Sequence, residues 1–191
     1  MAEIVISDPN PQWPGTFARL GANLRDLFGS TALRIDHIGS TAVSGLAAKD
    51  IIDIQITVAD LDDPRISPAM IAFGAVERFK GTYDHVPPGV SVGEDQRQKW
   101  LWHLRGSTDA NVHIRVDGCW NQRYALLCRD FLRSHPGTAA AYGEVKRQLA
   151  RLFGDDAESY YDVKDPAFDL FMSVAEEWAS WTGWTPGPSD A

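Results

Sequence analysis

The sequence has no long apolar run and little cysteine. No stretch of it approaches the ~18 uninterrupted apolar residues that a membrane-spanning helix requires. Its start, MAEIVISDPN, has neither the basic residues nor the apolar run of a secretory signal, so we expect a cytoplasmic protein without a membrane partner. The two cysteines, Cys119 and Cys128, lie nine residues apart in a predicted helix. That spacing suits neither a metal knuckle nor a local disulfide, and we expect both thiols to be reduced.

The chain also lacks an excess of positive charge. It carries 18 Lys and Arg against 26 Asp and Glu, a formal net charge of -8. Broad electrostatic capture of DNA or RNA needs a concentrated basic surface, so nucleic acid is not expected as a partner. With 191 residues, 44% of them hydrophobic, the chain is long enough to bury a sizeable core in one domain with an annex.

The first half of the chain predicts one long helix and two strands. Apolar residues at helical spacing indicate a helix over 13–28, and alternation indicates a short strand up to His37. A second strand is expected over 51–58. There Ile52, Ile54, Ile56 and Val58 share one face, while Asp53, Gln55 and Thr57 share the other. The first face is expected to join the core and the second to face a cleft or solvent.

A hairpin is predicted where KWLWHLR and NVHIRV alternate on either side of the turn-rich GSTDA. With the loop at 106–110, three pairs are expected on the polar face: Leu101 with Arg115, His103 with His113, and Arg105 with Asn111. This face is unusually rich in cations and imidazoles.

Strands cluster before about residue 118 and long helices follow, near 119–134, 137–153 and 164–181. The expected class is therefore α+β, with a small mixed sheet covered by helices over 1–118. Residues 119–184 are expected to form a helical C-terminal annex packed on that core. The Pro- and Gly-containing tail 185–191 is expected to be disordered.

One motif combines a turn with an acid. Gly39 and Ser40 come directly after a strand, where glycine lets the backbone approach a ligand and where amides and a hydroxyl can bind phosphate oxygens. Asp53 follows on the polar face of the next strand. Gly-Ser turns are common, so it is the pairing with the acid that indicates a phosphate site.

The segment HIGSTAVSGLAAKDIID resembles the signature of the nucleotidyltransferase superfamily, and more narrowly the chain resembles the GrpB family. The second resemblance extends to DPNPQWPGTF, VHIRV and CRDFLRSHP. It implies a nucleotidyltransferase-like fold in which carboxylates hold Mg²⁺ against nucleotide phosphates. It also implies a relation to coenzyme A biosynthesis, because GrpB-like domains occur fused to dephospho-coenzyme A kinase. This sequence contains no Walker-type phosphate loop.

The acids depart from that resemblance. Active nucleotidyltransferases place two acids two residues apart on one strand, whereas here Gln55 stands at the partner position of Asp53. The polar face of the hairpin offers His113 and Arg115 where a third acid would be sought. We therefore expect Asp53 to hold a single Mg²⁺, with Lys49 and Arg115 neutralising phosphate charge. The alternative is a site that binds without catalysing.

Three further residues have two interpretations each. His37 is either a satisfied histidine at a strand end or a group that arranges the Gly-Ser turn or the ligand. Arg129 and Lys146 either tie the annex to the sheet by salt bridges or reach over the cleft to a triphosphate. We expect all three to bind phosphate, together with Gly39, Ser40 and Lys49.

The expected function is transfer of a nucleotidyl group from an NTP to a small metabolite. Gly39 and Ser40 would hold the β and γ phosphates, and Asp53, His113 and Arg115 would be catalytic. Two alternatives remain: a non-catalytic module that binds a nucleotide or phosphorylated metabolite, and an adaptor domain related to coenzyme A biosynthesis. A homodimer is compatible with each.

Overall fold

The computed structural model describes residues 3–191, which form a five-stranded mixed sheet and five α-helices. The strands lie in the order β1-β2-β5-β4-β3. Their bounds are β1 Arg34–Ile38, β2 Ile52–Val58, β3 Val76–Tyr83, β4 Gln98–Leu104 and β5 Ala110–Val116. Of the four strand pairs, β2 with β5 is parallel and the other three are antiparallel. The expected α+β class with a small mixed sheet is confirmed.

One face of the sheet carries the larger core. Helices α1 (Trp13–Phe28) and α2 (Ile66–Ala72) pack against it. The four apolar residues that alternate along β2, from Ile52 to Val58, are at most 2% exposed and all belong to this core. Burial of each such side chain contributes about 1.5–3 kcal/mol. Because side chains alternate along a strand, Asp53, Gln55 and Thr57 are directed to the opposite face.

The annex covers that opposite face. It consists of α3 (Trp120–Ser134), α4 (Pro136–Phe153) and α5 (Ala157–Thr182). Leu127, Phe131 and Met172 form a second core with Val43 and Leu46, which follow β1. Helix α5 begins seven residues before the predicted start, because the Asp156 carboxylate caps it by accepting a 3.1 Å hydrogen bond from the Ser159 amide.

The hairpin of β4 and β5 has the predicted faces but not the predicted pairing. His113 lies opposite Leu101, and Asn111 lies opposite His103. The expected pairs were displaced by two residues, because β5 begins at Ala110 and Arg105 lies beyond the end of β4. A slip of two residues keeps every side chain on its face, so the polar surface forms as expected.

The tail 185–191, for which the sequence predicts disorder, lies along β1 and is hydrogen-bonded to it. The Ala191 amide donates to the Ile35 carbonyl at 3.1 Å, and the Asp190 carboxylate accepts from the His37 amide at 2.9 Å. Arg25 of α1 donates to the Ala191 carbonyl at 2.8 Å. The tail thus satisfies backbone groups on the outer edge of β1, which no other strand pairs.

Across residues 3–191, none of the helices combines the length and the apolar character that crossing a membrane requires.

Candidate functional site

A cleft of about 480 Å³ lies between the polar face of the sheet and the annex. Its walls come from the turn after β1, from β2, β4 and β5, and from all three annex helices. Five cations line it, namely Lys49, Lys99, Arg115, Lys146 and Lys164, against three carboxylates, Asp53, Asp84 and Asp165. A chain of net charge -8 therefore has a cleft with more cations than carboxylates. Such a cleft attracts anions.

Gly39 fixes the position of Asp53. Its φ is +69°, in the region that favours glycine, and a Cβ at this position would overlap the Asp53 carboxylate. The neighbouring strands hold the two together, because Ile38 pairs with Asp53 across β1 and β2. Ser40 then opens a short 3₁₀ turn, Ser40–Ala42, at the rim of the cleft. The predicted turn and the predicted acid are therefore in direct contact.

The Asp53 carboxylate is ionised and partly exposed. Its Oδ1 accepts a 2.9 Å hydrogen bond from Asn111 Nδ2 and lies 3.8 Å from His113 Nε2. Burial acts to raise the pKa of Asp53, but the neighbouring His113, Asn111 and Lys49 outweigh it and hold that pKa below its usual range. With 29% of its side chain exposed, Asp53 can present an oxygen to a ligand.

His113 shares the cleft with Asp53 but carries no charge at neutral pH. Burial lowers its pKa to about 4, and the cations Lys99 and Arg115 act in the same direction against the pull of Asp53. A neutral imidazole can donate or accept a hydrogen bond but cannot neutralise phosphate charge. Its buried Nδ1 has no hydrogen-bond partner among the described residues.

Arg115 is held by groups that the sequence did not associate with it. Its Nε and Nη2 donate to the two Asp84 oxygens at 2.8 and 3.1 Å, and its Nη1 donates to Gln55 Oε1 at 2.6 Å. Lys99 and Asn121 contact the same Asp84 carboxylate. Burial acts to raise the pKa of Asp84, but the neighbouring Arg115 and Lys99 have a larger, opposite effect and hold that pKa well below its usual range. This acid is therefore ionised, and hydrogen-bond donors surround it.

Gln55 occupies the position expected for a second metal ligand, but both ends of its amide are hydrogen-bonded to other protein groups. It is fully buried, and besides accepting from Arg115 it donates from Nε2 to the Gln122 carbonyl at 3.1 Å. Asp50 is also engaged, because its Oδ1 accepts from Trp13 Nε1 at 2.6 Å. Over residues 3–191, three or more His, Cys, Asp or Glu side chains nowhere converge as a metal site.

Lys146 connects the annex to the Gly-Ser turn. Its ammonium donates to Ser40 Oγ at 2.7 Å and to the Ala47 carbonyl at 2.5 Å, and the residue is only 4% exposed. Burial, reinforced by Lys164, lowers its pKa to about 7. Lys49 stands nearby and donates to the Tyr161 hydroxyl at 2.5 Å. Both predicted lysines therefore line the cleft.

His37 and Arg129 do not line the cleft. His37 is stacked on Phe17 with ring centroids 4.6 Å apart, and its Nε2 lies 3.0 Å from Thr41 Oγ1. Arg129 is 3% exposed and is bonded to Asp130 at 2.7 Å and Asp190 at 2.8 Å. The structure therefore places both residues outside the cleft that Gly39, Ser40, Lys49 and Lys146 line. His37 supports the turn, and Arg129 ties α3 to the tail.

Sequence reasoning missed several lining residues, the most consequential being Asp84, Lys99 and Asn121. Asp84 follows β3, whose pairing with β4 is irregular, so no alternation indicated its direction. Lys99 lies on the strand face that the hairpin analysis already marked as polar, and that face was the available signal.

The fold and the cleft define a class: α+β proteins in which a cation-rich cleft separates a mixed sheet from a helical annex. The chain belongs to the GrpB protein family, which matches residues 3–173. The expected family is thus confirmed.

The chain is similar to several known proteins. The chain is 38% identical over 200 residues to a dephospho-CoA kinase of Mycolicibacterium paratuberculosis, covering 97% of this chain and 49% of that protein. It spans about half the length of such curated relatives. The crystal structure of the conserved protein GrpB from Enterococcus faecalis superposes with a TM-score of 0.69 at 26% identity, covering 95% of this chain and all of that one. A cytoplasmic RNA terminal U-transferase gives a TM-score of 0.46 at 16% identity, covering 78% of this chain and 42% of that one.

Proposed function

We propose that the cleft binds a nucleotide or another phosphorylated small molecule through its phosphate groups. The observation that carries this proposal is the gathering of five cations in one cleft of an acidic chain. Charges in a partly desolvated cleft interact more strongly than charges in water, so their concentration favours a multiply charged anion.

Lys146 and Ser40 would bind a phosphate directly. The ammonium and the hydroxyl stand 2.7 Å apart at the rim of the Gly-Ser turn, so a phosphate oxygen there could accept from both. Because the pKa of Lys146 is lowered to about 7, part of the population is neutral at neutral pH. An arriving phosphate would favour the charged form, so binding would take up protons.

The annex wall supports a nucleotide over a bare phosphate. Three aromatic side chains that are not fully buried line it, namely Tyr124, Tyr161 and Phe168. Aromatic faces suit a planar base, which stacks on them with little dependence on its identity.

Thermal shift with each NTP, with and without Mg²⁺, tests the binding proposal, since a ligand of the native state raises the melting temperature. Coenzyme A and dephospho-coenzyme A belong in the panel because curated relatives are named dephospho-CoA kinases. Lys146→Met should remove the shift. Arg147→Met is the matched control, because Arg147 is the next residue on α4 and does not line the cleft. If no ligand shifts the wild type, the adaptor alternative gains and the binding proposal fails.

Nucleotidyl transfer from an NTP to a small metabolite is the second candidate, and the contact between Gly39 and Asp53 favours it. That contact sets an ionised carboxylate beside a turn suited to phosphate. Mg²⁺ takes oxygen ligands and in nucleotide sites binds one or two carboxylates together with phosphates and water. Asp53 and Ser40 line the same cleft and would be the oxygen ligands, whereas Asp84 is taken by Arg115, Lys99 and Asn121. A bound Mg²⁺ would stabilise charge on the transferred phosphoryl group.

The protein's own groups would have distinct roles in such a transfer. Arg115 keeps two of its five N–H donors after its three bonds to Asp84 and Gln55, and these could contact a phosphate. Neutral His113 could accept the proton of an acceptor hydroxyl.

Pyrophosphate release from NTP, assayed with a panel of small metabolites, tests the transfer. Release should require Mg²⁺ and be abolished in Asp53→Asn, while Asp26→Asn, an exposed change on α1, should leave it intact. Nucleotide-induced stabilisation without release from any acceptor would reduce the function to binding.

A further inference from the structure

Helix α5 exposes four large apolar side chains. Val163 is 47% exposed, Leu170 76%, Val174 51% and Trp181 80%. Steps of seven, four and seven residues separate them, and eleven residues complete about three turns of an α-helix. The four therefore form one stripe along one side of α5.

This stripe lies opposite the face that already packs into the annex. Met172, Ala175 and Ala179 are at most 5% exposed and belong to the annex core. An amphipathic helix on a protein surface has one apolar side and a polar opposite side. Helix α5 is apolar on both sides, and none of the described elements covers its outer stripe. Exposed patches of this kind mark association surfaces.

The stripe is symmetric about the level of residue 172. Val163 and Trp181 each stand nine residues from that level, and Leu170 and Val174 each stand two residues from it. A surface whose spacing is the same in both directions is complementary to itself in an antiparallel arrangement, which is the requirement of an isologous two-fold interface. Such pairing places Leu170 against Val174 of the partner subunit and Val163 against the partner's Trp181.

The charges of α5 agree with the antiparallel arrangement. In an antiparallel pair centred on residue 172, each acid of α5 lies level with an uncharged residue of the partner helix. The six acids are Glu158, Asp162, Asp165, Asp169, Glu176 and Glu177, and the positions level with them are, in the same order, Pro186, Thr182, Ala179, Ala175, Phe168 and Ala167. No acid of α5 is level with another. In a parallel arrangement every acid would be level with its own copy, which is unfavourable because like charges repel.

From the stripe, its symmetry and its charges we infer that α5 is the interface of an antiparallel, two-fold homodimer. The stripe is about 27 Å long at 1.5 Å per residue. Complete burial of the exposed parts of these eight apolar side chains, four from each copy, would remove on the order of 1,000 Å² from water. That area reaches the roughly 1,000 Å² expected of a specific interface. The inference does not depend on what the cleft binds.

Sedimentation equilibrium of the full chain tests the interface. The wild type should have twice the 21.1 kDa of one chain, and Leu170→Glu should sediment as one chain. Leu152→Glu is the matched control, because Leu152 is 58% exposed on α4 and lies outside the stripe. Far-ultraviolet circular dichroism should be unchanged in both variants. A monomeric wild type, or a dimer that Leu170→Glu leaves intact, would overturn the inference.

Cysteine crosslinking tests the register. The native Cys119 and Cys128 are buried, so thiols introduced on α5 are the accessible ones. Leu170→Cys mixed with Val174→Cys should form a disulfide between the two variants. If Leu170→Cys forms a disulfide with its own copy and none with Val174→Cys in the mixture, the helices are parallel. That result would contradict the proposed symmetry.

Discussion

Arg115 on β5 donates a 2.6 Å hydrogen bond to the side chain of Gln55 on the adjacent parallel strand β2. Both residues are buried on the polar side of the sheet. An amide thus stands where the sequence analysis sought a second carboxylate, and its oxygen accepts from a guanidinium. The bond fixes the position of a guanidinium that lines the cleft.

Replacing Gln55 by Leu should destabilise the protein by about 2–4 kcal/mol. The change removes the acceptor of Arg115 and the donor to the Gln122 carbonyl, and it leaves polar groups buried without partners. Urea unfolding measures the loss. Gln55→Glu also loses the donor to Gln122 but keeps an acceptor for Arg115, so it should cost less than Gln55→Leu. Equal costs for the two variants would mean that the bond to Arg115 contributes little.

Gly39→Ala should both destabilise the fold and disturb the Asp53 carboxylate. The backbone strain of a positive φ costs about 1 kcal/mol or more, and the overlap with Asp53 adds to it. Gly118→Ala provides the control, because Gly118 has a φ of +74° but no atom within 4 Å of an added Cβ. Only Gly39→Ala should weaken nucleotide-induced stabilisation. Equal effects of the two substitutions would mean that the contact with Asp53 is unimportant.

Lys146 should make stability rise with pH above neutrality. Its pKa is about 7 in the folded protein, against an ordinary value of 10.5. Between these values the unfolded chain binds a proton that the folded chain has released, so the free energy of unfolding increases with pH. The increase is at most about 1.4 kcal/mol per unit. Urea unfolding from pH 6.5 to 9 should show a steeper rise in wild type than in Lys146→Met, and Arg147→Met should keep the wild-type slope.

Arg129→Met should cost about 3–5 kcal/mol without changing nucleotide affinity. The substitution leaves Asp190 and Asp130 without their shared cation and removes a 3.3 Å bond to the His37 carbonyl. Arg129 does not line the cleft, so the variant should bind a nucleotide with the wild-type affinity. Isothermal titration measures this affinity, with a nucleotide that binds the wild type and at a temperature where the variant is folded. Lost affinity in a folded variant would restore the phosphate-binding role that the sequence suggested.

Alternation along strands predicted most of what matters in the sheet. It placed Asp53 and Gln55 on one face of β2 and His113 and Arg115 on the corresponding face of β5, and the structure agrees. The hairpin register could not be predicted with the same certainty, because a slip of two residues changes every partner while it preserves every face. The faces determine the composition of the cleft, so the error had little consequence for the site.

The helical part was less accessible to sequence reasoning. Helical spacing identified α3 and α4, but it could not show that Lys146 points to the cleft while Arg129 points to β1 and the tail. That difference depends on how the helices rotate against the sheet, which is a long-range property. Asp84 was missed for a related reason, since it follows an irregular strand and meets Arg115 only in three dimensions.

The single parallel pairing in the sheet also constrains how the chain folds. Asp53 and Asn111, 58 residues apart in sequence, meet because β2 and β5 are adjacent, and α2, β3 and β4 all lie on the connection between them. Closing so long a connection costs chain entropy before any contact compensates for it, and distant pairings of this kind slow folding. The cleft therefore cannot form until this long connection has folded back to bring β5 beside β2, and a chain halted during synthesis before β5 would have no cleft at all.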